Sequence, residues 1–119
     1  MEGQSLTQKW PEELDALVAA PAHHRLLFEN DRVRVLDTRI PPGDRVPVHT
    51  HRWPSLYYVL ASAQFVRREA DGEVLLETRA LEQPLELPPI VWSEPLPPHS
   101  LENVDNTDLH LVSIELKES

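Results

Sequence analysis

Pro42-Gly43-Asp44-Arg45-Val46-Pro47-Val48-His49-Thr50-His51 continues through Trp53-Pro54 into Tyr57-Tyr58-Val59-Leu60. In an extended chain, side chains two apart leave the same face, so a strand here aims the imidazoles of His49 and His51 at one point. That pincer is a metal-chelating arrangement. Pro41-Pro42-Gly43 breaks the chain just ahead of it. Much later, beyond Pro95-Leu96-Pro97-Pro98, stands His99, with Asn103 four residues after it.

Outward from this stretch the chain reads as short β-rich runs separated by turn signals. Strands are expected over residues 26–28, 32–40, 56–61, 64–69, 74–79, 85–87, 90–92, 99–104 and 109–115. Glu29-Asn30-Asp31, Asp71-Gly72 and Asp105-Asn106-Thr107-Asp108 supply turns between them, Asp71-Gly72 as a hairpin. Residues 12–20 read as one short helix: Pro11 suits its start, Glu12 and Glu13 its positive end, and Leu14, Leu17 and Val18 share a face. Pro21 stops it. His23 and His24 follow in the connecting segment. Neighbours in an extended chain face opposite ways, so these two cannot form a pincer and read as surface or packing residues. The expected organisation is an arm over residues 1–24 and a β-barrel over 25–119.

Composition narrows the function classes. The 119 residues suit one domain. Twenty acidic residues against 11 basic give a formal charge of −9, which repels a phosphate backbone, so no nucleic-acid partner is expected. With no cysteine there is no disulfide, thiolate ligand or thiol nucleophile, which leaves histidine, carboxylate and water for metal chemistry. No apolar run approaches the roughly 20 residues that span a bilayer, and residues 1–8 lack a basic start and apolar core for export. No membrane partner and a cytoplasmic location are the expectation. Neither a Gly-rich phosphate loop nor a Gly-x-Ser-x-Gly elbow is present.

Gly43-x5-His49-x-His51 followed by Tyr58-Val59-Leu60, with His99-x3-Asn103 far downstream, resembles the two motifs of the cupin superfamily across residues 28–116. The likeness has gaps. Ser55 stands where the first motif carries its glutamate and Ser62 where it closes on glycine; Glu94 and Leu96 occupy the proline and glycine positions of the second. The resemblance implies an all-β fold, a double-stranded β-helix or cupin jelly-roll barrel with a short N-terminal helix, joined as a homodimer. It also implies a metal held by His49, His51 and His99.

Three neutral imidazoles suit Fe, Mn, Ni, Cu or Zn and leave positions open for water and substrate. The alternative is that His49 and His51 sit near solvent while His99 caps a loop. Without the glutamate, a divalent ion keeps its full charge and polarises a bound water or carbonyl more strongly, but is held less tightly. Glu94 is the candidate replacement carboxylate or general base, with Asp44 behind it, and Ser55 a candidate hydrogen-bond partner for a metal-bound water. Trp53, Tyr57 and Trp92 are candidate walls of a substrate pocket, with Tyr58 assigned to the core. Arg67 and Arg68 face opposite ways on one strand, and whichever points inward would select a carboxylate-bearing substrate. His110 reads as a packing residue. The leading expectation is a metal-dependent enzyme acting on a small organic molecule, with dioxygenase chemistry first. Metal-assisted isomerisation, hydrolysis or lyase chemistry and a non-catalytic small-molecule binder are the alternatives.

Overall fold

The computed structural model describes residues 10–117; the first nine residues of the expected arm lie outside them. Nine antiparallel strands form two sheets: β1 His24–Glu29, β2 Val33–Ile40, β3 Arg45–His51, β4 Ser55–Ala61, β5 Phe65–Glu69, β6 Val74–Glu77, β7 Ile90–Ser93, β8 Leu96–Asn103 and β9 Leu109–Leu116. One sheet has the order β1-β2-β9-β4-β7 and the other β3-β8-β5-β6. This is the all-β jelly roll expected from the sequence.

Alternation places the side chains. Along β2, Arg34, Leu36, Thr38 and Ile40 are buried between less buried neighbours, and on β9 the inward set includes Leu109, Ser113 and Glu115. Ala20, Ile40, Val46, Phe65 and Leu109 form the apolar core, with Leu101 and Leu111 packed against it. Gly43 sits at φ +83°, which closes the turn in which the Asp44 amide bonds the Pro41 carbonyl at 3.1 Å. A side chain there would be strained even though space is open.

Several local expectations are corrected. The helix over residues 12–20 is two pieces, a 3-10 turn Glu12–Leu14 and a single α turn, α1 Ala16–Ala19, because Asp15 between them is extended. Its carboxylate caps the Leu17 amide at 3.2 Å and binds Arg34 through two bonds of 2.9 Å, which holds it out of a continuous helix. The buried face is Ala16 and Ala20 rather than Leu14, Leu17 and Val18; Val18 is 60% exposed. Small side chains let the arm lie close on β3, where Asp15 bridges Thr50. Residues 85–87 form no strand: Pro84, Pro88 and Pro89 remove ladder donors on both sides. Tyr58 points outward at 48% exposure, since Ser55, Tyr57 and Val59 hold the inward register of β4.

Candidate metal centre

Four imidazoles meet between the two sheets. His49 and His99 are register partners on β3 and β8, with ring centroids 4.5 Å apart. His51 follows His49 on the same face, its ring 4.9 Å from that of His49 and 5.7 Å from that of His99. From the opposite sheet His24, the first residue of β1, lies 4.9 Å from His49 and 5.3 Å from His51. All four are buried.

Backbone carbonyls fix the protonation of three rings. Nδ1 of His49 bonds the Pro47 carbonyl at 2.7 Å and Nδ1 of His99 bonds the Pro97 carbonyl at 2.7 Å. Nδ1 of His24 reaches the Ala20 carbonyl at the end of α1 at 3.0 Å. A carbonyl only accepts, so each Nδ1 carries the proton and each Nε2 keeps its lone pair. The Pro-x-His pattern recurs at residues 47–49 and 97–99, and the β3–β8 register is interrupted at the histidines because proline brings no amide to the ladder.

For His51, Nδ1 faces Oε2 of Glu115 at 3.5 Å, an ion contact rather than a full hydrogen bond. Neither atom has another hydrogen-bond partner among the described residues. Glu115 is fully buried and also receives Arg34 Nε at 2.5 Å. Arg34 in turn holds Asp15, so a buried chain of opposite charges runs from the arm to His51. Burial alone would raise the pKa of Glu115, but His51 and Arg34 override it and hold the carboxyl below its ordinary value. Burial likewise opposes ionisation of Asp15, and Arg34 reverses it.

The electrostatics suit metal ligation. Burial, and then the neighbouring rings, drop the pKa of His24 to about 4, of His49 to about 2 and of His99 to about 3, so these imidazoles are neutral at physiological pH. One donor atom each from His24, His49 and His51 lie within 4.8 Å of one another. Nε2 of His49 and Nε2 of His51 are 3.2 Å apart. Nitrogens each about 2.1 Å from one ion and that far apart subtend roughly 100° at it, between the tetrahedral and octahedral angles. His49 Nε2 presents its lone pair across this gap, where it accepts from His51 Nε2–H when no ion is bound and where an ion would take both nitrogens in place of that proton. The donor set fits a divalent transition ion. It places His99 against His49 and brings in His24, a residue expected from the sequence at the surface or in packing.

Of the two adjacent histidines, His23 faces away from the cluster and meets Asp44 at 3.0 Å. His24, against expectation, is the first residue of β1, which turns its ring inward opposite Thr38. Glu115 was also missed. Its signal was the alternation Leu109, Leu111, Ser113, Glu115, which puts a carboxylate on the inward face of the last strand.

The cluster lines one end of an inner chamber of about 60 Å3 whose walls include Ile40, Val46, Leu96, Leu101 and Ser113. An outer chamber of about 240 Å3 adjoins it, bordered by Leu87, Val91 and Trp92. Tyr57 and Arg67 border both. The other expected site residues stand elsewhere. Glu94 is exposed and accepts the Trp92 indole at 2.6 Å. Ser55 is buried and donates to the Trp53 carbonyl at 3.2 Å. Trp53 lies outside both chambers, stacked under the guanidinium groups of Arg52 at 4.4 Å and Arg34 at 4.8 Å. His110 pairs with Asp37 at 2.6 Å.

Comparison with solved structures places this architecture. The chain is similar to a cupin domain from Bordetella pertussis Tohama I, with a TM-score of 0.60 and 21% identity over 80% of this chain and 92% of that one. It is also similar to an RmlC-like cupin family protein with a double-stranded β-helix fold from Methanocaldococcus jannaschii, at 0.54 and 13% over 78% and 77% of the two chains. A conserved protein with a double-stranded β-helix domain from Klebsiella pneumoniae aligns at 0.52 and 18% over 81% and 84%. The protein has the cupin double-stranded β-helix fold, and at these identities the likeness is one of fold. No family model and no curated protein matches the chain. Among the described residues no helix is long and apolar enough to cross a membrane.

Proposed function

We propose that this chain is a metal-dependent enzyme that cleaves a small organic molecule with dioxygen, using a divalent transition ion (Fe, Mn, Ni, Cu or Zn) held by His24, His49 and His51 with His99 beside them. The observation that carries the reading is the set of buried imidazoles whose Nδ1 atoms face oxygen acceptors, with His24, His49 and His99 neutral and their Nε2 lone pairs free for an ion. When bound, such an ion supplies Lewis-acid activation and brings substrate and dioxygen together. The chain's own residues do the rest. Once an ion takes Nε2, Glu115 would hold the His51 proton on the Nδ1 side; the Pro47, Pro97 and Ala20 carbonyls hold it there on the other rings, and the leucine-rich walls exclude water.

All-imidazole ligation leaves the ion's charge undiminished, which also favours metal-assisted isomerisation, hydrolysis or lyase chemistry as the second reading. Elemental analysis of protein purified without chelator tests the metal, and oxygen uptake with diketones, phenolics and small acids then tests the reaction. Metal without oxygen uptake selects the second reading. Protein that takes up no transition metal is a non-catalytic binding module.

The homodimer belongs to the same proposal. Leu56, Tyr58, Ile90, Trp92 and Ile114 are each at least 36% exposed and are linked through cross-strand pairs, Leu56 with Trp92 and Ile114, Tyr58 with Ile90. A second copy would cover this apolar face. Light scattering should give twice the chain mass, and Tyr58→Glu should return a monomer.

A further inference from the structure

Four described arginines are not exposed: Arg34, Arg52, Arg67 and Arg68. Three of them face carboxylates. Arg34 binds Asp15 and Glu115, Arg52 lies 3.7 Å from Asp15, and Arg68 bonds Glu102 at 2.9 Å. Arg67 makes no ion pair among the described residues, and its enclosed Nε bonds to nothing. Its guanidinium Cζ lies 5.8 Å from the centre of the Phe65 ring. The chain carries 20 acidic residues against 11 basic ones, so acids are plentiful, yet none among the described residues pairs with Arg67. A guanidinium enclosed without an anion is costly, and the fold keeps one. Burial draws its pKa below the ordinary arginine value while Tyr57 opposes the shift, but a guanidinium still holds its proton at neutral pH.

Its position gives the cost a use. Arg67 borders both the outer chamber and the inner one that ends at the histidines. On the inner wall Ser113, the register partner of Tyr57, has a buried Oγ with no hydrogen-bond partner. Two orphaned polar groups therefore border a chamber whose other walls are the four histidines, Thr38, Tyr57 and a run of leucine, valine and isoleucine side chains. We infer that Arg67 anchors the carboxylate of the substrate, and that the substrate class is a small monocarboxylic acid with an apolar body. The planar guanidinium fork matches a carboxylate bidentately, and the Ser113 hydroxyl can donate to the same group. The carboxylate sits in the chamber of about 60 Å3 that Arg67 and Ser113 share, and the apolar body extends into the chamber of about 240 Å3 that Arg67 also borders. A single negative charge is favoured over a double one because the chain as a whole carries −9. Which end reacts rests on the proposed metal function; the anion site does not.

The test uses benzoate and its neutral isostere benzamide, titrated into the protein as purified and again after chelator treatment, so that an acid binding to a metal is separated from one binding to Arg67. In both states benzoate should bind about tenfold or more tighter than benzamide. Arg67→Gln should abolish that preference with metal content unchanged, and Arg67→Lys should keep part of it. In the wild-type protein, benzoate but not benzamide should shift the Arg67 Nε–H resonance, a readout that needs no variant to fold. The inference is overturned if benzoate and benzamide bind equally, if the preference survives Arg67→Gln, if it appears only with metal present, or if inorganic phosphate outcompetes benzoate. Carboxylate preference in a protein that holds no metal would sustain this inference while refuting the proposed enzyme.

Discussion

Glu115→Gln removes one charge from the middle of the buried chain that links the arm to the histidines, and keeps the side-chain volume. Arg34 would lose the Oε1 carboxylate at 2.5 Å but keep Asp15 through its two bonds of 2.9 Å, so it is not left uncompensated. The cost is therefore that of one charge-assisted hydrogen bond, about 1.5–3 kcal/mol, below the roughly 3–5 kcal/mol expected when a buried ion loses its only partner. For a domain of this size that is a fall in Tm of roughly 5–10 °C. His51 simultaneously loses the anion facing its Nδ1. Removing such an outer partner weakens metal binding by about 10–100-fold, or about 1.4–2.7 kcal/mol. Urea unfolding of the metal-free variant measures the first effect, and competition for Zn2+ against a chelator of known affinity the second. A variant that loses stability yet binds zinc like the wild type would refute the claim that Glu115 orients His51. One that loses neither would refute the buried chain altogether.

Metal content distinguishes the rings: His24→Ala should lower zinc affinity at least tenfold, whereas His110→Ala, which removes contacts with Asp37 and Arg39 away from the cluster, should leave it unchanged. Acid should destabilise the metal-free protein in a defined window. The unfolded chain takes up protons as pH falls through about 6.5, the ordinary histidine value, while folded His24, His49 and His99 resist until about 4, 2 and 3. Stability should thus be flat above pH 7 and fall from about 6.5 to 4 more steeply than the ~1.4 kcal/mol per pH unit of a single proton, as urea midpoints across that range would record. Asn103→Ala should cost about 2–3 kcal/mol in the same assay. Its amide donates to the Ile40 and Thr107 carbonyls at 2.8 Å each and accepts the Asp105 amide at 2.9 Å, and all three lose their partner.

Much of this protein is written in short-range pattern. Alternation and turn residues located the strands to within a few positions, the Asp71-Gly72 hairpin joins β5 to β6, and the spacing of His49 and His51 put both imidazoles on one face. The failures share a cause. The expected helix splits at Asp15, whose partner Arg34 is 19 residues away. Glu94 and Asp44 lie near the histidines in sequence, whereas the carboxylate that faces His51 is Glu115 on the final strand, 64 residues further along the chain.

The sequence by itself determined the β-architecture and the His49–His51 pincer, because a period of two is set by the backbone of each strand alone. Only the folded chain decided that His24 joins the cluster, that Glu115 backs His51 and that Arg67 is enclosed without an anion. Those facts depend on which strands lie side by side and on what each buried charge meets, and neither is encoded within one strand.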